Sequence, residues 1–302
     1  MMGYRWLINV VLFGIVILLG SLVLTTPTED PLKLPPLTTL KAEDIHTIKI
    51  SYPSNTVIEL AKDDKAQWQL LAPLQLAANQ YRIKHLLQVL SETYTKKLDV
   101  DSLNLQEFGL SPASVDISFD QTTLKFGETS PINQRRRYVQ MEDSVYLILD
   151  TVSFLLSENV LEFVSLYPLG EAAKITDLQL PDYHLKQEGN NWQLTSSIPD
   201  NTNTSADALI SLVQHWETAQ AMDVLPYAEA EFQGDISITL TSGDTLHFSV
   251  ISIEPTFTIA RLDKGLQYEF AASYVDKLLH LPAKVDEESD VIIESDEEDS
   301  EQ

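Results

Sequence analysis

The chain of 302 residues contains no cysteine. This absence excludes disulfide bonds, thiolate metal sites and a cysteine nucleophile. It also excludes attachment to a membrane through a lipid-modified cysteine. A chain without thiols is compatible with an oxidising compartment such as the bacterial envelope, where unpaired cysteines are a liability.

Histidine and glycine occur in none of the common catalytic patterns. The six histidines stand singly, and none has the His-x-x-x-His or His-Glu-x-x-His spacing of a zinc site; they are His46, His85, His184, His215, His247 and His280. A Gly-x-Ser-x-Gly elbow and a glycine-rich phosphate loop are also missing. The sequence therefore assigns no catalytic, cofactor-binding or metal-binding residue, and it favours a protein that is not an enzyme without deciding the question.

Positive charge is scarce, since 20 Lys and Arg face 45 Asp and Glu, which gives a formal net charge of −25. Such a chain repels nucleic acid, so we expect no nucleic-acid partner. Carboxylates are so abundant that the sequence cannot single out an acid–base pair.

Residues 6–24 form one nearly uninterrupted apolar run, WLINVVLFGIVILLGSLVL. At ~1.5 Å per residue this run spans about 28 Å as a helix, close to the ~30 Å hydrocarbon layer of a bilayer. A cleaved signal peptide and a buried core helix are the alternatives, but no small-x-small cleavage site follows the run. Arg5 precedes it and Glu29 and Asp30 follow, which predicts a cytoplasmic N-terminus. We therefore expect a single-pass protein of the bacterial inner membrane, with most of the chain in the periplasm.

Composition divides the chain into five segments. We predict a transmembrane anchor (1–25), a proline-rich linker (26–43), a first module (44–169), a second module (170–282) and an acidic tail (283–302). Prolines without apolar periodicity suit an extended spacer. The tail is too acidic to build a core, so we expect it to be disordered. Its apolar triplet Val291-Ile292-Ile293 is an alternative docking motif for a basic partner.

The two predicted modules repeat one order of elements. QWQLLAP at 67–73 and NWQLTSS at 191–197 each end a set of three alternating strands and precede a helical stripe. The pattern Thr-Leu-x-Phe then recurs at 123–126 and 245–248. The predicted fold class is α+β, with two tandem βββ-α-ββββ-α modules, the second helix of the first module falling within residues 151–167.

Six residues at the repeated positions are predicted to form the core. Tryptophan at a strand end is expected to pack beneath the following helix rather than stack on a ligand, and the apolar stripe of each helix faces the sheet. The predicted core residues are Trp68, Leu86, Leu90, Trp192, Ile210 and Val213. Asn79 is the predicted N-cap of the first helix.

These elements resemble a known bacterial family. The order Trp-x-Leu-x-x-Pro at 68–73, LQEFGLSPASVDISF, LKFGETSP and RRYVQMEDSVYLI is similar to the family of domain of unknown function 4340, best over residues 44–165. The second module lacks the Phe-Gly-Leu-x-Pro turn and is a diverged copy. The resemblance implies an envelope protein, often anchored by one helix, with some relatives associated with ABC-type transport or gliding machinery. It implies no catalytic residues.

One basic cluster, Arg135, Arg136 and Arg137, stands out in this acidic chain. Adjacent guanidinium groups could bind a carboxylate or phosphate of a partner, and a solvated hairpin loop is the alternative. We predict a noncatalytic binding or scaffold subunit of an envelope complex with a protein partner. The alternative is an envelope hydrolase that acts on cell-wall or polysaccharide substrates through unidentified carboxylates, and a third is a module that binds a small ligand.

Overall fold

A computed structural model describes residues 34–195, 199 and 201–284. The predicted anchor, the start of the linker and the tail from residue 285 onward lie outside this part of the chain. Among the described residues, no helix combines the length and the apolar character needed to cross a bilayer.

The first half forms one antiparallel sheet of nine strands in the order β4-β3-β2-β1-β6-β7-β8-β9-β5. The strands are β1 (Thr47–Ser51), β2 (Val57–Lys62), β3 (Trp68–Ala72), β4 (Leu76–Ala77), β5 (Tyr94–Asp99), β6 (Val115–Phe119), β7 (Thr122–Thr129), β8 (Arg136–Met141) and β9 (Ser144–Leu149). Helix α1 (Gln80–Leu87) connects β4 to β5 through a 3-10 turn.

The second half forms an antiparallel sheet of eight strands in the order β12-β11-β10-β14-β15-β16-β17-β13. These strands are β10 (Ile175–Gln179), β11 (His184–Glu188), β12 (Asn191–Leu194), β13 (Asp223–Pro226), β14 (Gly234–Leu240), β15 (Thr245–Ser252), β16 (Thr256–Arg261) and β17 (Leu266–Ala271). Helix α2 (Ala206–Thr218) follows β12, and the short α3 (Tyr274–Leu278) follows β17.

The α+β class is confirmed, and the two sheets share one strand order once the two-residue β4 is set aside. The detailed element order differs from the prediction in two ways. First, a strand follows each helix, β5 in one half and β13 in the other, and it pairs with the last strand of its sheet. This pairing is long-range, so local periodicity could not reveal it.

The second difference concerns residues 151–167, where the predicted helix is wrong. Two 3-10 turns, Ser153–Leu155 and Val160–Phe163, occupy this stretch. The Asp150 carboxylate accepts the backbone N–H of Ser153, and the Asn159 side chain accepts that of Leu161. Each side chain bonds a backbone N–H at the start of one turn, so two separate turns form in place of a continuous helix.

Most of the predicted core residues are buried. Trp68, Leu86, Leu90 and Val213 are each at most 6% exposed, whereas Trp192 is half-buried. Ile210, in contrast, is 37% exposed, so its assignment to the core is wrong. Helix α2 directs a different stripe inward, formed by Ala208, Leu209, Leu212, Val213 and Trp216. The large Trp216 ring at the end of this stripe sets the rotation of the helix, because it offers the greatest apolar area to bury.

Helix α1 begins at the predicted cap, where the Asn79 side chain accepts the backbone N–H of Arg82 at 3.0 Å. Gln80 then ties the helix to β3, because its amide accepts the backbone N–H of Trp68 and donates to the carbonyl of the same residue. These bonds hold the buried Trp68 directly under the start of the helix.

A short connecting segment, residues 163–166, joins the two sheets along their inner edges. On one side, Val164 forms a bridge with Ala78, and Ser165 donates its N–H to the carbonyl of Ala77 in β4 at 2.8 Å. On the other side, Ala221, just before β13, donates to the carbonyl of Leu166 at 2.8 Å. The segment therefore lies between β4 and β13 and hydrogen-bonds to both halves.

The predicted linker is described from residue 34 onward, and there it contacts the first half. Leu37 is 3% exposed and donates its N–H to the carbonyl of Glu92 at 2.6 Å. Pro36 forms a bridge with Thr93, and the Pro35 carbonyl accepts the N–H of Tyr94. This part of the linker thus covers the start of the outer strand β5.

Candidate functional site

A cleft with a volume of about 730 Å³ lies where the two halves meet. The β3–β4 hairpin and the connecting segment with the residues that follow it form one wall, and the β14–β15 and β16–β17 hairpins of the second sheet form the other. Ligand sites typically have volumes of ~300–1,000 Å³, so this cleft is the candidate functional site.

Arg261, the last residue of β16, extends into this cleft. Its side chain is 13% exposed, and its Nε donates to the Asp263 carboxylate at 3.2 Å. No group among the described residues accepts a hydrogen bond from its two terminal nitrogens. The guanidinium group is therefore held by one edge while the other edge remains able to bind a ligand.

Tyr268 lines the cleft from the neighbouring strand β17. It is 2% exposed, and its hydroxyl makes no hydrogen bond to any residue that the structure describes. Burial raises the pKa of Tyr268 to about 12; the Arg261 charge lowers it and the Asp263 charge raises it. The hydroxyl consequently keeps its proton at physiological pH and can donate it to an acceptor in the cleft.

Arg261 and Tyr268 lie on the same face of the second sheet. Tyr268 pairs with Ile259, two residues before Arg261, so the Arg261 and Tyr268 side chains point to the same side in a diagonal arrangement. Diagonal neighbours in a sheet lie ~7–8 Å apart at their backbones, within reach of long side chains. The strand register alone thus brings a cation and a tyrosine hydroxyl donor together.

Two more charged groups line the cleft. Lys264 ends the 3-10 turn Leu262–Lys264 that links β16 to β17, and Asp244 lies at the tip of the β14–β15 hairpin. The Asp244 carboxylate accepts a hydrogen bond from the Ser242 hydroxyl at 2.8 Å. Asp244 is the one carboxylate among the described residues that line the cleft, and Asp263 holds Arg261 from outside this lining. The terminal nitrogens of Arg261 and the Lys264 ammonium group are therefore the groups that can bind an anionic ligand.

The wall from the first half offers apolar area between the polar side chains of Gln69 and Gln75. Leu71 on β3 is 48% exposed, and Leu76 and Leu169 also line this wall. When a partner covers a large apolar side chain of this exposure, the complex is stabilised by ~25 cal/mol per Å² of covered area. The cleft therefore combines apolar area on one wall with cations on the other.

The predicted basic cluster does not act as one fork of guanidinium groups. Arg137 forms an ion pair with Asp150 at 3.0 Å, with side chains 14% and 7% exposed, and donates to the Gly127 carbonyl. Arg135 is exposed, and Arg136 precedes Arg137 on β8, where successive side chains point to opposite faces. Arg135 and Arg136 remain candidates for contact with a partner, whereas Arg137 is used inside the fold.

Three carboxyl groups have a lowered pKa, and all lie outside the cleft. Burial raises the pKa of Asp63 and Asp120, but hydrogen bonds from the backbone at Gln67 and at Thr47, respectively, outweigh it. Hydrogen bonds from the hydroxyl groups of Ser54 and Thr56 lower the pKa of Glu158. A lowered pKa suits a charged acceptor, not a general acid, which needs a raised one.

The described residues also include no group of three or more His, Cys, Asp or Glu side chains positioned to hold a metal ion. Sequence reasoning missed Arg261, Lys264 and Tyr268 altogether. The signal that could have found them is the hairpin pattern Arg-Leu-Asp-Lys-Gly at 261–265, which places two cations at one turn. The facing wall comes from the other half of the chain, and no local pattern predicts that contact.

The motif residues that carry the family resemblance serve the fold. Gly109 ends a 3-10 turn with φ +64, the left-handed conformation that glycine adopts most readily. The turn it ends packs on β7, where a Cβ atom on Gly127 would lie 2.2 Å from the Phe108 carbonyl oxygen. This close backbone approach explains why glycine stands at both positions.

Comparison with known proteins gives one family. The family model described as Domain of unknown function (DUF4340) matches residues 68–232, more than half of the chain. The match starts later and extends further than the resemblance over 44–165 indicated, since it runs from β3 through the connecting segment to the loop after β13. No curated protein and no solved structure matches the chain. The chain belongs to the DUF4340 family.

Proposed function

We propose that this chain is a noncatalytic, membrane-anchored envelope protein that acts as a binding or scaffold subunit and contacts its partner at the cleft between its two halves. The observation that carries the proposal is the composition of that cleft. An exposed Leu71 faces the cations Arg261 and Lys264 across about 730 Å³. Apolar area beside an arginine is common in protein contacts, where arginine is enriched.

The location rests on the sequence. The apolar run at residues 6–24 has the length of a transmembrane helix, and the charges around it favour a periplasmic location for the rest of the chain. Extraction of native membranes with alkaline carbonate tests the anchor. The protein should stay in the membrane pellet, and its recovery in the soluble fraction would overturn this part of the proposal.

The assembly that the protein would serve is proposed on the family resemblance alone. An accessory role in an ABC-type transport complex or a gliding-related complex fits a single-pass protein whose folded part offers a contact surface. A hydrolase function has less support, because glycoside hydrolysis generally needs two carboxyl groups that flank one bond. Asp244 is the single carboxylate among the described residues of the cleft.

The test is purification of the full chain from gently solubilised native membranes, followed by mass spectrometry, with one cleft variant and one matched control. Leu71→Glu places a charge in the apolar area of the cleft. Ile253→Glu places the same charge at a position of similar exposure, 41% against 48%, beyond the far end of β15. Both side chains are exposed, so neither substitution should unfold the protein.

We expect a stoichiometric partner with the parent chain and with Ile253→Glu, and its loss with Leu71→Glu. Recovery of the parent chain alone would contradict a scaffold role. Equal recovery of a partner with both variants would place the contact elsewhere, and a triple alanine variant at Arg135, Arg136 and Arg137 would then test the basic cluster.

A further inference from the structure

We propose that Arg261, Lys264 and Tyr268 form a carboxylate-binding subsite in the cleft, and that this subsite receives an acidic peptide segment of the partner. The proposal rests on the proposed function, because it names the chemistry of the partner at the same cleft. It follows from the hydrogen-bond donors that the fold leaves unused.

Arg261 and Tyr268 belong to strands of the sheet, β16 and β17, and their backbones are fixed by strand pairing. Tyr268 is 2% exposed, and its hydroxyl has no acceptor among the described residues although the ring is packed against Phe248 at 6.4 Å between centroids. The hydroxyl oxygen is not among the fully buried side-chain atoms that lack a partner, so it is open to the cleft. A ligand oxygen in the cleft would satisfy this hydroxyl.

Arg261 supplies the charge and the geometry. Asp263 holds Nε at 3.2 Å, which fixes the plane of the guanidinium group and leaves both terminal nitrogens for a ligand. Two parallel N–H groups match the two oxygens of a carboxylate, and such bidentate pairs are among the stronger hydrogen bonds in proteins. Lys264 lines the same cleft and adds a second positive charge.

A peptide segment fits better than a small anion because the opposite wall exposes Leu71 and the cleft has a volume of about 730 Å³. The exposed Leu71 lies in the same cleft as the cations, so an acidic side chain and a neighbouring apolar side chain can be bound together. The acidic surface of the chain repels such a segment at long range, but at physiological salt this repulsion is screened beyond about 8 Å.

The test measures binding of fluorescently labelled hexaglutamate to the full chain in detergent at physiological salt, by anisotropy. Tyr268→Phe removes only the hydroxyl, and because that hydroxyl has no partner in the protein the fold should be unaffected. Arg261→Gln and Lys264→Gln each remove one charge. Tyr183→Phe, a buried tyrosine outside the cleft, and Lys277→Gln, a lysine on α3, are the matched controls.

We expect hexaglutamate to bind, Arg261→Gln to weaken binding about tenfold or more, Tyr268→Phe to weaken it several-fold, and both controls to bind like the parent. Labelled hexaglutamine should not bind. Unchanged binding by both Arg261→Gln and Tyr268→Phe would overturn the subsite. Equal binding of hexaglutamine, or displacement by an equal concentration of inorganic phosphate, would overturn its assignment to a carboxylate peptide.

A chain that ends at Lys284 separates two sources of the acidic segment. Equal affinity with and without residues 285–302 supports a separate partner, whereas a tenfold gain on removing them would show that the chain's own tail occupies the site and would overturn the assignment to a partner. If purification recovers no partner while hexaglutamate binding remains sensitive to Tyr268→Phe, the subsite stands and the scaffold role fails.

Discussion

The two halves of this protein share one strand order but are held together by different interactions. In the first half, Arg82 pairs with Glu162 and also lies over the Phe163 ring at 4.8 Å. A second ion pair joins Arg137 to Asp150. These pairs fasten the loops that follow β9 to the rest of the half.

In the second half, aromatic packing holds α3, and one ion pair, Lys174 to Glu217 at 2.6 Å, joins α2 to the start of β10. The rings of Phe257 and Phe270 lie 5.7 Å apart, and Phe270 lies 5.3 Å from Tyr274 of α3. The Trp216 indole N–H donates to the Leu278 carbonyl at 2.8 Å and so joins α2 to α3. The common strand order therefore depends on the alternation of apolar residues, while the fastening of helices and loops is free to differ.

The same comparison separates fold from function. In the β8–β9 hairpin, Met141 and Tyr146 occupy the register positions that Arg261 and Tyr268 occupy in β16–β17. Tyr146 packs against Tyr94, with ring centroids 4.9 Å apart, and lies beneath Lys97. The first half thus has methionine at the register position of Arg261 and uses its tyrosine in packing, so the arrangement of Arg261 and Tyr268 is not repeated there.

The largest difference should appear between the two repeated tryptophans. Trp68 is 6% exposed beneath α1, whereas Trp192 is half-buried beside an open pocket at α2. We expect Trp68→Ala to lower the free energy of unfolding by about 3–5 kcal/mol. Trp192→Ala, which empties a site already open to water, should cost about 1–2 kcal/mol. Thermal and urea unfolding would measure both values, and equal losses would show that the two positions are packed alike.

A smaller but sharper test exchanges one residue between the halves. Gly127 and Ser249 follow the repeated Thr-Leu-x-Phe. Gly127→Ser drives a side chain into the backbone of Phe108, so we expect a loss of about 3 kcal/mol in the free energy of unfolding.

The reciprocal substitution Ser249→Gly removes a hydroxyl that donates to Asp235 at 3.0 Å. It also places glycine inside a strand, and the two effects together should cost about 1–2 kcal/mol. Chemical denaturation of the two variants side by side measures the asymmetry. A serine tolerated at position 127 would mean that the close approach at Phe108 relaxes easily.

The smallest expected effect concerns the carboxylate at the start of each central strand. Asp120 accepts the backbone N–H groups of His46 and Thr47 in the first half, and Glu217 accepts that of Ile175 in the second. Asp120→Asn should cost about 1 kcal/mol, since an exposed acceptor contributes modestly. Glu217→Gln should cost somewhat more, because the Glu217 side chain is 11% exposed and also forms an ion pair with Lys174 at 2.6 Å.

The Asp120 contribution should depend on pH in a defined direction. Burial opposes the shift, but the hydrogen bonds from Thr47 and His46 hold the pKa of Asp120 in the folded protein below its ordinary value. The stabilisation is therefore complete above the unfolded value of about 3.9 and is lost as the pH falls through the folded pKa. Unfolding of the parent and Asp120→Asn from pH 7 to pH 3 should show their difference shrinking in that acidic range, and a constant difference would refute the assignment.

The repeated strands and the first helix could be predicted because their signals are local. Alternating apolar residues mark the strands, and Asn79 with the stripe ending at Leu90 marks α1. Ile210 was misplaced because two overlapping stripes exist on α2, and the tertiary packing of Trp216 decides between them. Contacts between distant parts of the chain decide the pairing of β5 and β13 and the wall that faces Arg261 and Tyr268, and no local pattern contains these contacts.

The connecting segment at residues 163–166 also sets a rule for how this chain can change in length. The backbone groups of its successive residues point alternately to the two halves, so the Ser165 N–H donates to the Ala77 carbonyl and the Leu166 carbonyl accepts the N–H of Ala221. Replacing a side chain here leaves those bonds in place. Inserting or deleting one residue would turn each backbone group toward the wrong half. The loops outside the segment can therefore gain residues, whereas the number of residues in this short segment is fixed.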